Sequence, residues 1–315
     1  MTVSRRARVI YFFALMLLPR ILIRALTTAG YEATSERIAV VGRRVNRIAR
    51  LQRVLPFRKF LLTPGSWNGL PMETVSLRGL PTSTADGVIL YFHGGGFVLG
   101  DLNTHIRAVT TLARTTGVPV VHFGYRQYPE VDLSTSISDC VDAYRKLLSE
   151  GADPSKVIIA GDSAGGFLAF ATAQQAPLHG LPSPAGVVGI SPLLELNNEA
   201  RSQHVNAATD VFGIATGLPV ITERVCPTTE MVQQLEPVSG PMDTMPPSLI
   251  IVSAAEALLS DAERMQSRLR AGGRDCEVLT WPSQVHAFPA IFPRLPESRE
   301  AFAQISRFIS WRLAD

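Results

Sequence analysis

Cysteine is scarce in this chain. The three residues present, Cys140, Cys226 and Cys276, are odd in number and far apart. They suit neither a disulfide framework nor a zinc site, so a reducing, cytoplasmic setting with no metal is the expectation. A surplus of one charge is also missing: the net charge is +3, and the arginines near the N-terminus are too sparse to argue for nucleic acid. Internal repeats and low-complexity tracts are absent, which removes solenoid architectures. The chain also lacks the run of about 20 apolar residues that a membrane span requires. The apolar stretch VIYFFALMLL, residues 9–18, follows a basic SRRAR and is ended by Pro19, Arg20 and Arg24. Residues 1–26 therefore have three readings: a signal segment without a clean cleavage site, an apolar helix capping a pocket, or a helix lying on a membrane surface.

What remains is a long, apolar chain. With 315 residues and 46% hydrophobic content, it can build a large core. From about residue 74, short β-rich runs alternate with helical ones. VILYF (88–92), VPVVHF (118–123), KVIIAG (156–161), GVVGIS (186–191), LIIV (249–252) and CEVLT (276–280) read as strands. Helices are expected at 104–117, 133–151, 164–176, 261–271 and 297–313. This alternation predicts a mainly parallel, doubly wound sheet with its chemistry at the carboxyl ends of the strands. Regularity fails between about 195 and 245, where Pro, Asn and Thr mix with short apolar runs.

Two motifs fall where such a sheet would place them. Gly161-Asp162-Ser163-Ala164-Gly165 is a G-x-S-x-G turn between a strand and a helix, which would lift the Ser163 hydroxyl above the sheet. VILYF runs directly into His93-Gly94-Gly95-Gly96-Phe97, a loop able to bring backbone N–H groups against an oxyanion. No Lys-Ser/Thr follows the glycines, so a nucleotide loop is not indicated. The Ala164 N–H would be the partner donor. A general base should follow the last strand, and among the histidines only His286, in VHAF, does. His93 reads as a loop-shaping hydrogen bonder, and His105, His122, His179 and His204 as packing or surface residues.

With HGGGF (93–97), GDSAGG (161–166), YRQYPE (125–130) and the VHAF around His286 in place, residues 75–315 resemble the hormone-sensitive-lipase-like family of α/β-hydrolase esterases. The resemblance implies a serine carboxylesterase, lipase-like in kind, that cleaves short- to medium-chain esters through an acyl-enzyme without a cofactor. It also implies oxyanion donors from Gly95 and Gly96, pairing of two copies through the last strand, and a cap. The core would then be 61–194 and 246–315, and the cap 1–60 and 195–245. A lactone, amide or thioester substrate, or a non-catalytic small-molecule receptor on the same fold, stays open.

The triad acid has two candidates. The resemblance expects Asp-Pro-Leu where this chain has Glu256-Ala257-Leu258. Asp261 lies nearby in Ser260-Asp261-Ala262-Glu263, which reads as a capping box opening a helix. An acid at that first turn gains about 0.3–1 kcal/mol from the helix dipole and needs no catalytic role. Glu256 sits just beyond the strand LIIV with no such explanation, so it is the preferred acid and Asp261 the alternative.

Overall fold

The computed structural model describes residues 3–12, 31–54, 57–80, 82–212 and 214–314. Most of the apolar N-terminal segment, residues 13–30, thus lies outside the described residues. The strands are β1 (Phe60–Trp67), β2 (Leu70–Leu77), β3 (Val88–Phe92), β4 (Val120–Phe123), β5 (Val157–Asp162), β6 (Gly186–Ile190), β7 (Ser248–Ser253) and β8 (Cys276–Trp281). The helices are α1 (5–12), α2 (Tyr31–Ala49), α3 (Ile106–Thr116), α4 (Leu133–Ser149), α5 (Ala164–Gln175), α6 (Glu199–Gln203), α7 (Ile214–Val225), α8 (Thr229–Leu235), α9 (Leu259–Ala271), α10 (Phe288–Ile291) and α11 (Pro296–Ala314).

All eight strands form one sheet in the order β1-β2-β4-β3-β5-β6-β7-β8. From β4 to β8 every pairing is parallel, while β1–β2 and β2–β4 are antiparallel. The inner strands are buried along their whole length. Covered on both faces, they read as unbroken apolar runs rather than as alternation. Within β3 the pleat still sorts side chains: Leu90 and Phe92 enter one core with α4 and α5, and Ile89 and Tyr91 enter the other with α3 and α11.

The β1–β2 hairpin was not expected from the sequence pattern. Its turn is Asn68-Gly69, both with positive φ (49° and 79°), the residue pair that two-residue hairpins favour. β1 carries Pro64 and is mostly exposed, which an edge strand tolerates and a central one does not. The irregular stretch after β6 holds three short helices, α6 to α8, before the chain returns to the sheet at β7.

Candidate active site

The turn between β5 and α5 is tight enough to force a non-glycine residue into positive φ: Ser163 has φ 52° and ψ −120°. Such strain persists only where the surroundings over-determine it. Here the Ser163 N–H donates to Ile190 O (2.9 Å) and its carbonyl accepts from Leu193 N (3.1 Å). A Cβ on Gly165 would collide with the carbonyl oxygen of Phe92, so only glycine lets α5 start so close to β3. The Ser163 hydroxyl makes none of the hydrogen bonds found among the described residues, which leaves it available to a reactant.

The loop after β3 is held in a shape that side chains resist. Gly95 has φ 128°, and a Cβ there would strike the Leu99 carbonyl, while its own carbonyl accepts from Val98 N (3.2 Å) and Leu99 N (3.1 Å). His93 is fully buried, its Nδ1 lies 2.9 Å from Gly94 O, and its ring stacks on Tyr125 at 4.5 Å. Burial pushes its imidazole down to about 4, so it stays neutral and shapes the loop.

Glu256 lies just past β7, and its carboxylate is fully engaged. Oε2 is 2.6 Å from His286 Nδ1, and Oε1 accepts from Ser191 Oγ (2.5 Å) and Ser253 N (2.7 Å). Ser191 Oγ in turn accepts from Ala287 N at 3.1 Å, tying the acid loop to the histidine loop. Burial by itself would lower the His286 imidazole. The hydrogen bond and charge of Glu256, with Asp210 and Asp162 further off, outweigh it and hold His286 above its ordinary value. The ring also meets Phe212 edge-on, with centroids 5.7 Å apart.

Asp261 is elsewhere and otherwise occupied. It accepts from Leu194 N (2.9 Å) and Glu195 N (3.0 Å) and forms a completely buried ion pair with Arg201 of α6 at 2.8 Å. The expected capping box does not form, because α9 begins at Leu259 with Leu258 as a cap that offers no side-chain bond. Asp261 still stands in the first turn of α9, but its carboxylate is taken up by a buried cation and two amides.

Ser163, His286, Gly95, Gly96 and Ala164 line one cavity of about 360 Å³. Its remaining wall is mainly aliphatic and aromatic, with Leu193 and Phe212 from the stretch after β6 and Leu218 and Ile221 from α7. His105 lines it as well, in contrast to the packing or surface role expected for it, with Nε2 3.2 Å from Asp162 Oδ2. Nothing in the sequence around His105 marked this; only the fold brings the start of α3 to the end of β5. Ser191 was likewise missed, since a serine closing a strand carries no motif. A hollow of about 480 Å³ beside β8 has one thiol in its wall, Cys276, which burial pushes up to about 12, too high for a nucleophile. Among the described residues, no group of three or more His, Cys, Asp or Glu side chains could hold a metal ion.

Residues 89–290 match the family described as the alpha/beta hydrolase fold. The chain is 38% identical over 257 residues to the carboxylesterase/phospholipase LipF of Mycobacterium tuberculosis, covering 78% of this chain and 69% of that protein. It is 36% identical over 237 residues to the esterase LipU of the same organism, covering 73% of this chain and 80% of LipU. Among solved structures, an esterase from the bacterial hormone-sensitive lipase family superposes with a TM-score of 0.78 at 27% identity, over 99% of this chain and 100% of that one.

Proposed function

From the premise that this chain belongs to the α/β-hydrolase family, in its hormone-sensitive-lipase branch, and is a carboxylic ester hydrolase, we propose a serine acyl-enzyme mechanism at the cavity described above. Ser163 Oγ attacks the ester carbonyl as His286 Nε2 takes its proton. Glu256 orients the imidazole through Nδ1 and stabilises the imidazolium. The N–H groups of Gly95, Gly96 and Ala164 receive the oxyanion, and loss of one such donor typically costs ~3–4 kcal/mol. His286 returns the proton to the leaving alcohol, then activates water to release the acid. The contact that supports this most directly is the 2.6 Å bond between His286 Nδ1 and Glu256, made beside a serine whose hydroxyl is uncommitted.

The apolar wall supports an acyl group of short to medium length as the part of the substrate that the cavity takes. The stretch after β6, with α7 over the cavity, acts as the cap in this reading, together with the N-terminal segment. Ser163→Ala should leave less than about a thousandth of the p-nitrophenyl butyrate hydrolysis of the parent chain. Undiminished turnover by that variant sinks the mechanism.

The N-terminal region is also read as a peripheral contact with an anionic membrane surface. The support is on α2, whose inner side packs on the Val98–Gly100 segment: Asn46 exchanges hydrogen bonds with Gly100 (3.2 and 3.0 Å). Its outer side exposes Val41 (50%), Ile48 (66%) and the following Leu51 (67%) beside Arg43, Arg44, Arg47 and Arg50. Residues 1–72 carry thirteen basic and two acidic side chains, whereas the rest of the chain carries seventeen and twenty-five. Apolar side chains among arginines suit lipid headgroups better than a bare polyanion, which would reward only the charge. Among the described residues no helix is long and apolar enough to cross a membrane.

A further inference from the structure

A polar cluster behind the oxyanion loop takes no part in the chemistry above. Asp162, the last residue of β5, is buried one residue before Ser163. Its Oδ1 accepts from Tyr91 OH (2.7 Å) and Gly94 N (3.1 Å), and its Oδ2 faces His105 Nε2 at 3.2 Å. One carboxylate thereby joins the strand before the oxyanion loop, the loop itself and the start of α3 to the nucleophile turn. His105 Nδ1 lies 2.7 Å from Thr104 Oγ1, whose own proton goes to Asp101 O at 2.7 Å. With that proton committed, Nδ1 must donate. Nε2 donates to a carboxylate, and the two donations together favour the imidazolium form.

The other groups around His105 are accounted for. His93, from the loop after β3, stacks on it at 5.6 Å, and His122 of β4 meets it edge-on at 6.4 Å. Burial and the neighbouring imidazoles hold both below their ordinary value, so both are neutral. Arg53 faces His122 beyond them, already bonded to Glu73 at 2.9 Å. Asp101 precedes the helix, and Tyr91 stays protonated because burial and Asp162 raise it. The charge of the cluster is therefore one cation on His105 against Asp162, with Asp101 near.

We propose that Asp162 and His105 form a positioning pair that holds the Gly94 amide, and through it the Gly95 and Gly96 amides, at the spacing from Ser163 that the oxyanion requires. This rests on the serine reading above. It adds a pH dependence with a definite sign. Burial alone would lower His105, but Asp162 and Asp101 raise it above its ordinary value. The cation is then held to higher pH than on an ordinary imidazole and is lost as pH rises past that raised value, so kcat falls on the alkaline side.

The test compares His105→Asn, His105→Lys and Asp162→Asn in the full chain with p-nitrophenyl butyrate. Rates across the pH range are normalised to competent sites by fluorophosphonate titration, so that misfolded protein does not count. His105→Asn and Asp162→Asn should lose about tenfold to a hundredfold in kcat, with KM within about twofold. His105→Lys, a cation throughout, should retain most of kcat and no longer decline on the alkaline side. Equal rates for the Asn and Lys variants, a loss confined to KM, or an alkaline limb that none of the three moves would overturn the pair. Failure of the serine reading itself would show separately, as turnover surviving in Ser163→Ala.

Discussion

One methylene separates glutamate from aspartate, and the loop around Glu256 absorbs it by fastening the carboxylate at both oxygens. Ser191 and Ser253 hold Oε1 while Oε2 meets His286. Glu256→Gln keeps the shape but presents an amide that can donate, which favours the wrong imidazole tautomer. It should cost about 10³–10⁴ in kcat. Because Glu256 also raises His286, the acid limb of the remaining activity should move to lower pH, read from kcat/KM against pH. Asp261→Asn should do something different. It strands the buried Arg201 guanidinium, so stability should fall by about 3–5 kcal/mol in denaturant melts while kcat per competent site stays within a fewfold. Exchange of these two outcomes would transfer the acid role to Asp261. From sequence, the choice rested on giving Asp261 a structural role. The capping box behind that choice does not form; the Asp261 carboxylate instead meets Arg201, sixty positions away and invisible to any local pattern.

At the scale of elements, α7 supplies part of the cavity wall. Its Leu218 and Ile221 reach the same space as Ser163. Ile221→Trp should shorten the longest acyl chain accepted: kcat/KM for an octanoate ester should drop at least tenfold relative to acetate, with acetate itself within about threefold. An unchanged chain-length profile would show that α7 does not set the limit. The parallel strands were legible because burial on both faces leaves short apolar runs, and the helices between them because their ends are marked, as by Gly117 after α3 and Asp132 before α4. The β1–β2 hairpin was not, although its Asn68-Gly69 turn was on view, because exposed β1 with Pro64 and Gly65 shows no alternation. α2 escaped for a related reason. Among its described side chains the buried residues are small, Ala39, Gly42 and Ala49, while Val41, Val45 and Ile48 face out, so its pattern does not mark a core-facing helix.

For the whole molecule, the charge is divided between a basic N-terminal quarter and an acidic remainder. If that quarter meets lipid, the full chain should sediment with vesicles of phosphatidylcholine and phosphatidylglycerol, and not with phosphatidylcholine alone. Replacing Arg43, Arg44, Arg47 and Arg50 with Gln should reduce binding at least tenfold while hydrolysis of a soluble ester is retained. Equal binding to both vesicle types, or binding to RNA but not to vesicles, would exclude the lipid contact. The proposed triad and oxyanion residues come from four distant turns, after β3, β5, β7 and β8; motif spacing offered them as candidates but gave neither their distances nor the neighbouring Ser191 and His105.

The Asn46 amide grips Gly100, at the end of the segment that carries Gly95 and Gly96. The helix that faces outward is therefore also the floor on which that segment rests. If that helix adsorbs to lipid as proposed, adsorption and turnover would be mechanically linked: lateral pressure in the film, pushing on one side of the helix, would be felt within a few residues of Gly96.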